Sequence, residues 1–297
     1  MNIFLKKDNG DQLSGDMIIN WVLRCDLAPV PRTVEFIVRI KDGIDKILKE
    51  GVSIWTGYEN LEYRIIKTKI MKPSGVIQGS DEYAVMEVIA LLKSCAPVAF
   101  RREKAVIAEN KTLGQIYLAC GANASIANDF RVSRFYSYVG SIPTFAIAAA
   151  LQEECAALTV LNGKLSLVRL PDLFRQAPKS IMVDDEADTT ESEFMLRHEI
   201  PAFFSVDNSG GIILGDYSRP RAVAFKPKST QRVLKNMTKV LVQRKVVDSF
   251  LAQHTSSGDI LRINGVDMVV ITAAHYMSNV DGKITTNSKF WAGTLSV

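Results

Sequence analysis

Histidine and cysteine are scarce here, with three and four copies in 297 residues. Cys25, Cys95, Cys120 and Cys155 stand alone at wide spacings, with no CxxC pair and no Cys/His cluster of the kind that holds a tetrahedral metal. Their apolar neighbours predict buried thiols made in a reducing compartment. Long apolar runs are missing too. FAIAAAL is among the longest, far short of the roughly 20 residues that cross a bilayer, and the N-terminus turns polar after five residues. The expectation is a soluble chain without a membrane anchor, made in a cytoplasm without a signal peptide. Neither charge dominates: 36 basic against 32 acidic residues give +4, well short of a dedicated nucleic-acid binder. A phosphate loop is absent as well, because SGDMI, SGGIILGD and SSGDI lack both the GK[ST] ending and a following helix.

What is present is 47% hydrophobic residues, enough for two domains or one large one. Up to about residue 100 the dominant period is two. VEFIVRI (34–40), GVSIWTG (51–57) and LEYRIIKTKIM (61–71) are β-branched or aromatic and bounded by Gly, Pro or Asn, whereas YAVMEVIALLKSC (83–95) fits a strand or a helix. Pro29 and Pro31 force extended backbone ahead of the first of these runs. From about 105 to 180 helical patterns appear. NKTLGQIYLACG offers Asn110 or Thr112 as a cap and Gly121 as a stop, and SIPTFAIAAALQEECAALT begins a second helix at Pro143. VLNGKLSLVRL carries an Asn-Gly hairpin turn.

Asp184 to Glu199 holds seven acidic residues and one basic, which reads as a solvated connection. Beyond it the period returns to two through AFFSV, GIILG, RAVAF, TKVLVQRKVV and DILRINGVDMVVITAAHYM. The predicted class is β-rich α+β. A first β domain covers 1–104, a small α+β domain 105–183 and a second β domain 184–297.

Candidate chemistry is thin. His198 and Glu199 begin like the HExxH zinc helix, but Ala202 stands where the second histidine belongs and Pro201 would interrupt the helix. His254 lies in a polar loop, and His275 in an alternating strand. Neither GxSxG nor a cysteine-protease signature supplies a nucleophile. The adjacent acidic pairs Glu153-Glu154 and Asp184-Asp185 point in different directions on a helix and are expected to be hydrated. Nine Lys or Arg and no acid between Tyr217 and Val247 predict a solvated face of alternating strands, or a contact with an acidic partner surface or a nucleic-acid backbone, the latter making the run at 219–245 a nucleic-acid-binding module whose affinity falls steeply with salt. No catalytic, cofactor-binding or metal-binding residue is assigned, and no cofactor is expected.

The order of parts carries a resemblance. DLAPVPRTVEFIVRI and ILKEGVSIWTG, then TLGQIYLACGA, then TFAIAAALQEECAALTVLNGKLSLVRL, then GDILRINGVDMVVITAAHYMSN and TTNSKFWAG follow one another. Over most of the chain this resembles the central baseplate hub proteins of phage tails and related contractile injection machines. The resemblance implies two tail-tube-like β-barrel domains joined through smaller ones, with three copies forming a ring of six tube-like units. It implies a non-enzymatic virion component that joins a six-fold tail tube to a three-fold spike. Its partners would be two further copies, the tail-tube and tail-spike proteins and other baseplate proteins, with no dedicated nucleic-acid binding. His275 would then be a strand residue in a structural barrel, with Phe290 and Trp291 packing the last strand. The chain is short for such hubs, and no lysozyme or peptidase segment is attached. The alternative is a cell-wall-acting hydrolase with its site near Glu153 and Glu154, or near His198.

Overall fold

The computed structural model describes residues 2–6, 10–71, 84–182, 200–218, 221–280 and 282–296. The N-terminal third gives β1 (Ile3–Phe4), β2 (Ile18–Asp26), β3 (Arg32–Arg39), a short α1 (Ile44–Ile47), β4 (Ser53–Thr56), β5 (Leu61–Met71) and β6 (Val85–Leu92). The run that fitted either a strand or a helix is thus a strand. β6 pairs with β3 on one side and β5 on the other, and its side chains alternate between buried and half-buried. Backbone partners on both edges decide the matter where periodicity could not.

The middle third gives β7 (Val106–Thr112), α2 (Leu113–Ala119), β8 (Arg131–Ser137), α3 (Pro143–Glu153), β9 (Ala156–Leu161), β10 (Lys164–Arg169), α4 (Leu170–Leu173) and β11 (Ser180–Met182). Thr112, not Asn110, caps α2. Its hydroxyl accepts from Gln115 N while the Gln115 side chain accepts from Thr112 N, a reciprocal pair that satisfies two orphan donors. Asp129 accepts from the next two amides, Leu113 and Gly114. Between β9 and β10, Asn162 and Gly163 both take positive φ, as the two-residue hairpin turn requires.

The last third gives β12 (Ala202–Val206), β13 (Ile212–Leu214), β14 (Val223–Phe225), α5 (Gln231–Met237), β15 (Leu241–Phe250), β16 (Ile260–Ile263), β17 (Val266–Val280) and β18 (Lys283–Leu295). Helix α5 was not foreseen. It breaks the basic stretch that alternation would have made all strand, starting at Thr230, whose hydroxyl accepts from Val233 N, and burying Leu234 and Met237. The acidic connection at 184–199, with His198, lies outside the described residues.

The chain is strand-rich with few helices. Two separate barrels were expected, whereas strands from both ends join one eleven-stranded sheet, ordered β1-β4-β5-β6-β3-β2-β17-β16-β11 with β18 on β17 and β15 on β18. No closed barrel occurs among the described residues. The joint is the antiparallel pair β2–β17, from Asn20 opposite Ser278 to Asp26 opposite Thr272. Across it Trp21 faces Met277, Leu23 faces His275 and Cys25 faces Ala273, all buried and on one side of the sheet. One core cluster runs from Trp21 and Phe36 through Ile116, Ile147 and Leu158 to Phe290, so the middle elements share the sheet's core. Phe290 is fully buried and Trp291 half-buried, as the final strand was expected to pack.

Candidate functional site

The residues with chemical potential fall into three places. The first is the joint between the two ends of the sheet. Arg32 opens β3 opposite Cys25 and is almost sealed from solvent. It donates from Nη1 to Cys25 Sγ at 2.9 Å and from Nη2 to Glu59 Oε2 at 2.9 Å. The other Glu59 oxygen accepts from Gly163 N at 3.0 Å, which ties this cluster to the β9–β10 turn. Burial pushes the Cys25 thiol up in spite of the Arg32 charge, so the sulfur is a neutral acceptor rather than a nucleophile.

His275 lies beside this cluster, fully buried in β17. Its Nδ1 is 2.8 Å from Ser288 Oγ on β18, and that oxygen also accepts from Ala252 N at 2.9 Å. Burial, and then the nearby Arg32 charge, push its pKa down to about 4, against an upward pull from the Thr255 backbone. A neutral imidazole bonded across two paired strands holds a sheet together, and it lies away from any substrate that arrives from solvent.

The second place is the end of α3. Glu154 accepts from Arg232 at 2.9 and 2.7 Å and from Arg169 at 3.1 Å, while Glu153 pairs with Lys226 at 2.6 Å. Burial raises the Glu154 pKa, yet the hydrogen bonds from Arg232 and Arg169 outweigh it and hold the carboxyl below its ordinary range. The carboxyls whose pKa departs from its ordinary value among the described residues are Asp16, Glu154, Asp207, Asp216 and Asp267, and all are lowered. A general acid needs the opposite shift. These pairs clasp α5 and β10 to α3. They also take Lys226 and Arg232 out of the basic face expected from the sequence, and Arg244 donates to Thr294 Oγ1 at 3.2 Å.

Third, the exposed His254 stacks edge-on against Tyr58 at 4.1 Å between ring centroids, and its carbonyl accepts from Lys179 Nζ at 2.9 Å. A cleft of about 370 Å³ opens between β9, β10, α4 and the Asn128–Phe130 loop, but its polar groups are engaged: Asp129 caps α2, Arg169 holds Glu154, and Gln176 donates to the Gly258 carbonyl. Among the described residues no group of three or more His, Cys, Asp or Glu could hold a metal ion, and no helix is long and apolar enough to cross a membrane. All four cysteines are free and buried.

Arg32 escaped the sequence reading although a signal existed. It shares the inward parity of Val34, Phe36 and Val38, so strand alternation alone places a guanidinium in the core.

No protein-family model matches the sequence, and no curated protein does. Solved structures do match. A tail protein from Neisseria meningitidis shares 9% identity, with 99% of this chain and 95% of that one covered at TM-score 0.64. The 43 kDa tail protein of prophage MuSo2 from Shewanella oneidensis shares 12%, over 98% and 97% of the two chains, at TM-score 0.58. A component of the Escherichia coli type VI secretion system, described as structurally similar to bacteriophage T4 tail proteins, shares 9% over 94% and 74%, at TM-score 0.53. The chain spans nearly the whole length of both tail proteins. Its fold is the one these phage-tail and type VI secretion proteins share.

Proposed function

We propose that this protein is a structural component of a phage tail baseplate, a central hub that joins the six-fold tail tube to the three-fold spike as a homotrimer within the virion. The observation that carries this reading is the β2–β17 joint. It sets the N-terminal and C-terminal strand sets side by side within one chain, so each copy offers two β lobes and three copies offer six. That doubling is what an adaptor between six-fold and three-fold symmetry needs. Each lobe corresponds to one tube-like β domain, and the elements between Val106 and Leu173 share the sheet's core. The interior chemistry agrees with a scaffold, because the buried His275, Arg32 and Glu154 each bond between elements of the chain itself.

The test is the solution mass, by light scattering, of the chain alone and mixed with the tube-like and spike-like proteins encoded beside it. A trimer, formed alone or on adding the spike protein, is expected, with three-fold symmetry in projections of the complex. A chain that stays monomeric with every neighbour would overturn the proposal.

A further inference from the structure

Two apolar surfaces lie open at opposite ends of α3. The first belongs to the small sheet β13-β12-β14. Its register sets Leu214, Phe204 and Phe225 in one row, flanked by the rows Val206–Ile212 and Ala202–Val223. One face of this sheet is therefore apolar throughout, with the Phe204 and Phe225 rings 5.1 Å apart. The opposite face packs on α5, where Leu234 lies against Gly215, and α5 in turn is clasped to the C-terminal end of α3. The outer face is open at its β13 and β14 edges, where Ile212 is 69% exposed and Phe225 55%, while Ala202 in the middle strand is buried and Phe204 half-buried.

The second surface gathers where β8 runs into the N-terminal end of α3. Ile107 and Tyr136 pair across the outer side of β7–β8, and Tyr138, Val139 and Phe145 follow in the connection and first helical turn. Phe145 is 76% exposed and Val139 67%. The helix between the two surfaces is 11 residues long, about 16 Å at 1.5 Å per residue.

We infer that these two faces meet each other in trans, the β12–β14 sheet of one copy seated on the β8–α3 corner of the next, so that copies of this chain join head to tail. The inference rests on the trimeric reading above and supplies it with a contact. A single open face would suit a two-fold dimer. Two different faces at opposite ends of one helix give a heterologous contact, which closes into a ring when the rotation allows. Area points the same way. Taking 150–250 Å² for a large side chain, each face leaves on the order of 500 Å² of apolar surface open, as large as the biggest patch on an ordinary monomer. One junction then buries on the order of 1,000 Å², below the standard size for a stable pair, whereas a closed ring holds every copy by two junctions. On the first face Lys226 is neutralised by Glu153 and Asp207 is held within its own turn by Ser209 and Gly211, and on the second the outer side of β7–β8 sets Glu109 opposite Arg134.

The experiment uses the full chain, alone and with its spike-like neighbour. Sedimentation compares the wild type with Leu214→Ser/Phe225→Ser on one face and Tyr138→Ser/Phe145→Ser on the other. All four side chains are exposed, so thermal midpoints should stay close to wild type. Each double variant is expected to lose the trimer. The faces are then matched by bis-maleimide coupling, with the buried native thiols out of reach. Phe225→Cys combined with Val139→Cys should give a covalent ladder ending at trimer, and either change alone should give no ladder. If both double variants still form trimers, this contact is wrong while the hub reading stands. A covalent dimer from Phe225→Cys alone would show a two-fold contact and refute the head-to-tail arrangement. A wild type that never exceeds a monomer, alone or with the spike protein, overturns both.

Discussion

Acidification should weaken this fold before its carboxylates titrate, and the cause is His275. The ring is fully buried and its pKa stands at about 4 in the folded chain, against the ordinary 6.5 that the unfolded chain restores. Because the folded value is the lower one, the unfolded state binds more protons as pH falls. The stabilisation is complete above pH 6.5, declines below it and is gone by about pH 4. At about 1.4 kcal/mol per pH unit the gap corresponds to roughly 3 kcal/mol, a large share of the roughly 5–15 kcal/mol typical of a folded domain. Urea unfolding followed by tryptophan fluorescence, from Trp21, Trp55 and Trp291, would measure it between pH 7.5 and 4.5. The control is His275→Gln. It should cost about 1–2 kcal/mol at pH 7.5 through lost packing and the lost Ser288 bond, and it should flatten the slope between pH 6.5 and 4.5. The lowered carboxyls Asp16, Glu154, Asp207, Asp216 and Asp267 contribute stability that is lost from the ordinary carboxylate range downward, so between pH 6.5 and about 5 the loss belongs to the histidine. Parallel pH profiles for wild type and His275→Gln would refute the reasoning.

Arg32→Met should destabilise the fold by about 2–4 kcal/mol in the same unfolding assay, because Glu59 and Cys25 lose a desolvated partner; a loss under about 1 kcal/mol would mean that the cluster is incidental. A double-mutant cycle of Glu154→Gln and Arg232→Gln should give a coupling near 1 kcal/mol at pH 7 that disappears below the ordinary carboxylate range, and a coupling independent of pH would exclude the ion pair as its source. Gly293→Ala would place a methyl 2.3 Å from the Val242 carbonyl oxygen and 2.8 Å from Ile271 Cδ1, so β15 must shift on β18; about 2–4 kcal/mol and a lower melting midpoint are expected, and an unchanged midpoint would contradict the packing of that strand pair.

Local chemistry was legible in the sequence wherever one short segment decided it. The run at 61–71 is β5 to the residue, Thr112 caps α2, Pro143 opens α3 and the Asn162-Gly163 turn joins β9 to β10. Each depends on neighbours within a few positions. The eleven-stranded sheet was not legible, because its decisive pair joins residues 20–26 to 272–278 and alternation reveals a strand's inward face without naming its partner. Helix α5 escaped for a related reason. Seven residues with two buried positions carry too little periodicity, and what fixes it is the contact of Arg232 and Asn236 with the end of α3. At the candidate sites, the sequence correctly made His275 a strand residue. Glu153 and Glu154 were expected to be hydrated and are clasped instead, since Lys226 and Arg232 lie more than 70 residues away in sequence.

The same long-range pairing explains why the polar chemistry is inside and the apolar surface outside. A joint between segments 250 residues apart carries a large closure cost, and it persists only if the contacts made on closing are numerous and specific. Trp21, Leu23 and Cys25 against Met277, His275 and Ala273 supply the burial, and the Arg32–Glu59 bond ties β3, beside β2, to the Gly163 turn of the middle of the chain. Arg32 and His275 are used in this way through Nη1, Nη2 and Nδ1, while Arg32 Nε and His275 Nε2 are buried without a hydrogen-bond partner among the described residues. Among the exposed groups are large apolar ones: Ile212 and Phe225 at one end of α3, Val139 and Phe145 at the other. Exposed apolar patches of this size mark interaction sites more often than chance, and under the proposed hub reading the surfaces flanking α3 are where substitution should separate folding from assembly.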